Sequence, residues 1–231
     1  SAEGIPFPLS GRVRPLPMDL IPRFVTAIEW RVVSEGVAQR IRALEAFLAD
    51  VYDRGDIMRD GVVPKSLVTS SSHYHRQAHG IVPANGVRIH VAGVDLVRDE
   101  EGTFHVLEDN LRCPSGVSYV LENRRTLAHV APEVFTGYRV APVTEYPERL
   151  YRALAAAAPR DVHDPTVVVL TPGVYNSAHF EHAFLARRMG AELVEGRDLF
   201  CRGGFVYMRT TQGPQPVHVI YRRLDDDCQD P

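Results

Sequence analysis

Three oxygen-bearing side chains fall close together in a stretch that reads as a β-hairpin. Asp95 lies on one side of the acidic turn Asp99-Glu100-Glu101-Gly102, and Glu108 and Asn110 lie on the other. Side chains alternate along a strand, so Glu108 and Asn110 are expected on one face with Phe104 and Val106, and Asp95 with Val91 and Val97. With the turn centred on Glu101 and Gly102, Asp95 comes nearly opposite Glu108. Two carboxylates and an amide oxygen that converge are hard-oxygen chemistry suited to Mg²⁺. Carboxylates that close repel each other without a cation, which supplies the physical reason for one. The same residues also fit a solvated acidic strand face beside a turn.

The next stretch, Arg112-Cys113-Pro114-Ser115-Gly116-Val117-Ser118-Tyr119, combines Pro, Ser and Gly in a tight loop ahead of a helix. Its backbone amides could approach an anionic group, and Ser118 could cap the helix. Arg112, Arg124 and Arg125 flank it and could grip phosphate or carboxylate oxygens; an ordinary strand-to-helix turn with surface arginines is the plainer reading. Thr171-Pro-Gly-Val-Tyr-Asn-Ser177 joins a β-branched run to a helix start, where free amides and the helix dipole favour an anion. Asn176 or Ser177 would cap that helix, and Tyr175 would face a substrate or simply pack. No GxGxxG accompanies it, which argues against a dinucleotide. His73, His75 and His79 suggest zinc, but no single regular conformation presents all three and no fourth ligand lies nearby. Solvated loop histidines are the better reading, with Arg76 facing a substrate cleft. In Tyr221-Arg222-Arg223-Leu224-Asp225-Asp226-Asp227, alternation puts Tyr221 and Arg223 on one face.

These groups need elements to hold them. Pro6, Pro8, Pro15 and Pro17 discourage a helix and predict an extended leading arm over residues 1–20. From Thr26 to Val51, Ile28, Val32, Val33, Val37, Ile41, Leu44, Phe47, Leu48 and Val51 recur at steps of three and four, the stripe of an amphipathic helix. Hairpin strands are expected over 87–98 and 103–111, and helices over 117–130 and 147–158. After Pro159, Thr166-Val-Val-Val-Leu-Thr171 suits a strand covered on both faces, followed by a helix over 177–189 closed by Gly190. Further strands are expected over 192–195, 205–209 and 217–221. Strand, Gly-containing turn, helix, strand is the start of an α/β unit, which places a domain boundary near 160.

Composition bounds the function. The 231 residues carry 26 Lys and Arg against 29 Asp and Glu, a net charge of −3. That balance lacks the basic excess of a general nucleic-acid binder. No apolar run approaches the roughly 20 residues of a membrane helix. The opening residues have no basic and apolar signal pattern. Cys113, Cys201 and Cys228 are scattered and odd in number, which suits a reducing cytoplasm better than a disulfide scaffold. The Asp-rich close after an apparent strand reads as an interruption, and the chain as a segment of a longer protein.

The run Val106-Leu-Glu-Asp-Asn-Leu-Arg-Cys-Pro-Ser-Gly-Val-Ser-Tyr-Val-Leu-Glu-Asn-Arg124 closely resembles circularly permuted ATP-grasp proteins of the second type, relatives of glutathionylspermidine synthetase. Residues 38–52, 171–185, 207–213 and 219–227 resemble the same family in the same order. The resemblance implies an ATP-dependent carboxylate–amine ligase, with ATP and Mg²⁺ as cofactors and small-molecule or peptide carboxylate and amine substrates. It maps the Asp, Glu and Asn of the metal strands onto Asp95, Glu108 and Asn110, the trio that the hairpin also selects. The synthetases carry an Arg two residues before the first metal Asp, where this chain has Gly93, so Arg88 or Arg112 is the candidate for that charge. Arg88, Arg112, Ser115 and Ser118 are accordingly the candidate catalytic groups, and Arg76, Tyr175, Asn176 and Arg223 the candidate substrate contacts. Neither Cys113 nor Cys228 receives a role, and the nucleotide-gripping lysines are expected beyond Pro231.

The expected fold is α/β, with α+β character in its first part. Residues 1–160 would form a helical arm and the metal hairpin of a partial permuted ATP-grasp fold, and residues 161–231 a Rossmann-like substrate domain. A non-catalytic module that binds an acidic ligand or a partner protein is the alternative function.

Overall fold

The computed structural model describes residues 6–9, 12–15, 21–83 and 85–224, the first two stretches as backbone. The Asp225–Asp227 run and Cys228 lie outside the described residues, as does the rest of the leading arm. Within that arm, β1 (Pro6–Leu9) and β2 (Arg12–Pro15) pair antiparallel. The chain then divides into two compact units. One is Phe24–Arg112; the other takes the residues from Cys113 onward together with the β1–β2 pair.

The 24–112 unit starts with α1 (Ala27–Val51), 25 residues long and one residue shorter than its apolar stripe predicts. Thr26 is its N-cap in a full capping box: the Glu29 amide donates to Thr26 Oγ1 at 3.3 Å, and Glu29 Oε2 accepts from the Thr26 amide at 2.7 Å. Two short helices follow, α2 (Asp56–Arg59) and α3 (Lys65–Thr69). The Asp50 carboxylate accepts from the amides of Asp56 and Ile57, both at 2.9 Å, and so caps α2 from the end of α1. The hairpin is β3 (Gly93–Arg98) and β4 (Phe104–Asn110), paired antiparallel. Its first strand starts six residues later than expected. The amides of Arg88 and Ile89 donate instead to the Glu45 carboxylate, both at 2.8 Å, which ties residues 88–89 to α1.

In the second unit, α4 (Val117–Val130), α5 (Pro132–Gly137) and α6 (Tyr146–Ala155) precede β5 (Val167–Leu170), α7 (His179–Met189) and β6 (Glu192–Val194). Gly190 closes α7 in the left-handed region at φ 71°, as expected. Four more strands complete it: β7 (Leu199–Arg202), β8 (Phe205–Thr210), β9 (Gly213–Val217) and β10 (Val219–Arg222). β5 is the middle strand of a parallel sheet ordered β10-β5-β6, and β7-β8-β9 form an antiparallel sheet. Val168 and Leu170 pack with Val194, Met208, Leu199, Val217 and Ile220 on one face of β5. The other face presents Val167 and Val169, aligned with Val219 and Tyr221, to the helices. This two-sided burial is what the β-branched run predicts.

The division falls at residue 112 rather than near 160. Leu150 and Leu154 of α6 are buried, and α6 packs on β5, β10 and α7, while α4 also packs on α7. Residues 113–160 are therefore built into the α/β unit.

Candidate active site

Asp95 and Glu108 are cross-strand partners in the hairpin. A bulge sets this up. Leu96 pairs with Val106, Leu107 has no partner across the ladder, and Asp95 pairs with Glu108. The bulge changes the phase of β4, so Glu108 and Asn110 share Asp95's face with His105, and Phe104 and Val106 fall on the opposite face, contrary to simple alternation. Exposure follows the same division, with Arg98 and Val106 as exceptions: Asp95, His105, Glu108 and Asn110 are exposed, Val94, Leu96, Phe104 and Asp109 are partly covered, and Arg98 and Val106 are exposed on the second face. That covered face is tied to α1. The Arg40 guanidinium forks the Asp109 carboxylate at 2.7–3.0 Å, which holds the Asp109 carboxyl below its ordinary range, and Arg98 pairs with Glu29.

On the open face, Asn110 Nδ2 donates to Glu108 Oε1 at 3.0 Å, leaving the amide oxygen of Asn110 for another partner. Among the described residues, neither Asp95 nor Glu108 forms an ion pair with Lys, Arg or His. Like charges placed directly opposite across a sheet are destabilising, so this donor set fits a hard divalent cation. At the turn end of the same hairpin, His105 Nε2 meets Asp99 Oδ2 at 2.6 Å, and this contact holds the Asp99 carboxyl below its usual range.

Ser115 and Ser118 belong to the other unit. Ser118 is fully buried inside the first turn of α4, not at its cap. The cap is Gly116, at φ 107°, and the acceptor comes from a distant helix: Glu181 Oε2 of α7 takes hydrogen bonds from the amides of Gly116 (2.7 Å) and Ser118 (3.1 Å) and from Ser118 Oγ (2.8 Å). Glu181 is 1% exposed. Its second oxygen accepts from Arg223 Nη2 at 2.9 Å. Arg223, just past β10, is turned inwards, with Nη1 donating to the Pro114 carbonyl (2.6 Å) and the Tyr221 hydroxyl (3.1 Å). Tyr221 and Arg223 thus do share a face, but the guanidinium clamps the turn instead of facing an open substrate site. Cys113 Sγ adds a contact to the Arg222 carbonyl at 3.5 Å. Ser115, at the tip, is exposed. Burial, with the charges of Tyr221 and Glu181, pushes the nearby Tyr146 hydroxyl up to about 12. Sequence reasoning missed Glu181; the signal was an acidic residue inside an otherwise apolar helix face, beside Phe180 and Phe184.

At the carboxyl end of β5, Tyr175 is fully exposed and Asn176 Oδ1 accepts from the Ala178 amide at 2.8 Å. This Asx turn delays α7, which begins at His179 with no side-chain cap, two residues later than expected. Thr171 Oγ1 meets His182 Nδ1 at 2.9 Å, both buried.

The other candidates are scattered over the 24–112 unit. Arg88 is held near Glu45, Nη1 to Oε1 at 3.8 Å. Arg76 opens a short 3-10 turn and is exposed, as are Arg112, His73, His75 and His79. No three His, Cys, Asp or Glu side chains among the described residues form a metal cluster, which leaves the zinc idea without support. No described helix is long and apolar enough to cross a membrane.

Comparison with known proteins identifies the family. A family model described as a circularly permuted ATPgrasp matches residues 22–231. An uncharacterized protein of Mycobacterium tuberculosis strain H37Rv is 62% identical over 99% of this chain, which covers 42% of that protein. One of Synechocystis is 52% identical over 96% of the chain, covering 46% of its length. A Frankia casuarinae protein provisionally named glutamate–cysteine ligase 2-2 is 42% identical over 97% of the chain, covering 26% of it. The chain thus spans less than half the length of the curated relatives it matches. With a match across nearly all of its residues, the chain belongs to the circularly permuted ATP-grasp family.

Proposed function

We propose that this chain is the metal-binding and substrate-binding portion of an ATP-dependent carboxylate–amine ligase. The observation that carries the reading is the cross-strand pair Asp95–Glu108, with Asn110 beside it, on the open face of the hairpin. Asp95, Glu108 and the Asn110 side-chain oxygen would hold Mg²⁺, which neutralises charge on the ATP phosphates when bound. In the reaction, an oxygen of the substrate carboxylate attacks the γ-phosphorus, and ADP leaves with the electrons of the broken P–O bond. The amine nitrogen then attacks the acyl carbon, inorganic phosphate leaves, and the nitrogen gives up a proton. In the 24–112 unit Arg88 and Arg112 are the candidate donors for phosphate or carboxylate oxygens, and in the other unit, taken by itself, the turn carrying Ser115 is the candidate.

The parallel β10-β5-β6 sheet supports reading that part as the Rossmann-like substrate domain, in which Tyr175 and Asn176 border the crevice outside the strand ends. Arg76 is kept as a further contact from the 24–112 unit. Glutamate and cysteine, from the name of the Frankia relative, are the first acid and amine to try.

The test is calorimetric titration of Mg-ATP into the full-length protein and its Asp95→Asn/Glu108→Gln variant. Binding that disappears or weakens sharply in the folded variant supports the assignment. Equal binding moves the metal elsewhere, and no binding by either protein favours a non-catalytic module.

A further inference from the structure

The open face of the β3–β4 hairpin carries one basic side chain beside the metal trio. On that face the two strands place Asp95, Val97, His105, Glu108 and Asn110, and the turn adds Asp99. The other basic side chain of the strands, Arg98, lies on the opposite face, paired with Glu29 and set over the Phe104 ring. His105 is held in one direction. Its Nε2 meets Asp99 Oδ2 at 2.6 Å, and Asp99 is itself anchored, because its Oδ1 accepts from the Thr103 amide at 2.7 Å. The turn closes without the imidazole: the Asp99 amide donates to the Thr103 carbonyl at 3.0 Å, and the Gly102 amide to the Asp99 carbonyl at 3.1 Å. What the carboxylate adds is the orientation of the ring. Nδ1 is left over, and among the described residues it has no partner.

His105 pairs across the ladder with Val97, two residues from Asp95, so it stands diagonally from Asp95 at roughly 7–8 Å. It does not join Asp95 and Glu108 in a metal cluster. At that remove it can reach what the metal carries, not the metal itself. The phosphate chain of a nucleotide bound to a divalent cation brings acceptor oxygens there, and the two strands offer them no other cationic side chain on this face. A doubly protonated imidazole donates from both nitrogens, from Nε2 to Asp99 and from Nδ1 outwards. All of these residues belong to the 24–112 unit.

We infer that His105, oriented by Asp99, donates from Nδ1 to a phosphate oxygen of Mg-ATP bound at Asp95, Glu108 and Asn110; this rests on the ligase reading above. Asp99 is a positioning residue that acts through the ring.

A double-mutant cycle in the full-length protein tests it, with Mg-ATP affinity measured by calorimetry for wild type, His105→Ala, Asp99→Asn and the double variant. The titrations are run at about pH 6, where a free histidine is largely protonated. Thermal melts establish that each variant is folded. Losing a hydrogen bond to a charged oxygen weakens binding about tenfold, the loss expected for His105→Ala, and His105→Arg, which keeps a cationic donor, should recover most of it. Asp99→Asn keeps an oxygen for the Thr103 amide and turns an NH₂ towards Nε2. It also removes a negative charge from a face that meets an anion, so electrostatics alone would tighten binding. A severalfold loss in this variant therefore reports the freed ring, and the loss should vanish in the His105→Ala background. Wild-type affinity in His105→Ala overturns the contact. Tighter binding in Asp99→Asn, or a loss there that persists without His105, overturns the positioning role. Both results leave the ligase reading intact, whereas no Mg-ATP binding by wild type overturns it together with the inference.

Discussion

Asp95 and Glu108 face each other directly across the β3–β4 ladder, two like charges in register on an exposed sheet face. Opposed carboxylates of this kind cost the free protein roughly 0.2–1 kcal/mol relative to a neutral pair. Glu108→Gln is therefore expected to raise the melting temperature slightly without divalent cations and to abolish the stabilisation that saturating Mg-ATP gives the wild type. Thermal melts with and without Mg-ATP check this. A variant stabilised by Mg-ATP as much as the wild type would remove Glu108 from the metal set.

Asp109 provides the control. It neighbours Glu108 in sequence, but it lies on the helix side of the hairpin, forked by Arg40. Asp109→Asn is expected to lower the melting temperature and to leave Mg-ATP affinity within about twofold of wild type, since uncoupled sites add independently. Loss of Mg-ATP binding with unchanged stability would exchange the roles of the two acids.

The hairpin also shows how far the sequence could be read. Counting outward from a turn centred on Glu101 and Gly102 puts Asp95 opposite Glu108, and that pairing is observed. The turn, however, closes Asp99 on Thr103, so Arg98 pairs with Phe104, one residue off the counted register. The bulge at Leu107 then restores the offset before Glu108 is reached. The pairing was legible and the faces were not, because a bulge has no periodic signature. The helix over 27–51 was legible from its apolar spacing and the strand over 167–170 from its continuous β-branched run. β9 was not, since Pro214 and Pro216 argue against a strand. It is tolerated because β9 is the edge of its sheet. Glu181 stood out only as an acidic residue between Phe180 and Phe184, and what it and Arg223 bind could not be read: Glu181 and Pro114 lie 42 and 109 residues from Arg223, and only the fold brings them together.

The Glu181–Arg223 pair has a stability signature as well. Removing one member of a buried ion pair leaves an uncompensated charge and costs on the order of 3–5 kcal/mol. Glu181→Ala should destabilise by that order, and Glu181→Ala/Arg223→Ala by clearly less than the two single losses added together. Denaturant unfolding of the four proteins measures the coupling. Simple additivity would mean that the two side chains do not share one network.

His182 lends stability a pH dependence of definite sign. Burial, with the positive charge of Arg223 and the neighbouring His179, lowers its pKa from the ordinary 6.5 to about 4. The folded chain therefore keeps this imidazole neutral where the unfolded chain protonates it. The unfolded state binds more protons throughout that interval, so stability rises with pH across it. The contribution is complete above pH 6.5 and is lost progressively as the pH falls from 6.5 towards about 4, below which both states are protonated. Replacing His182 with Asn removes the titrating group while leaving a polar atom near Thr171 Oγ1, so the variant should lose less stability than the wild type between pH 7.5 and pH 5. Denaturant midpoints at the two pH values decide it. Equal losses would show that the buried imidazole carries its proton in the folded chain and that burial, Arg223 and His179 do not hold it neutral.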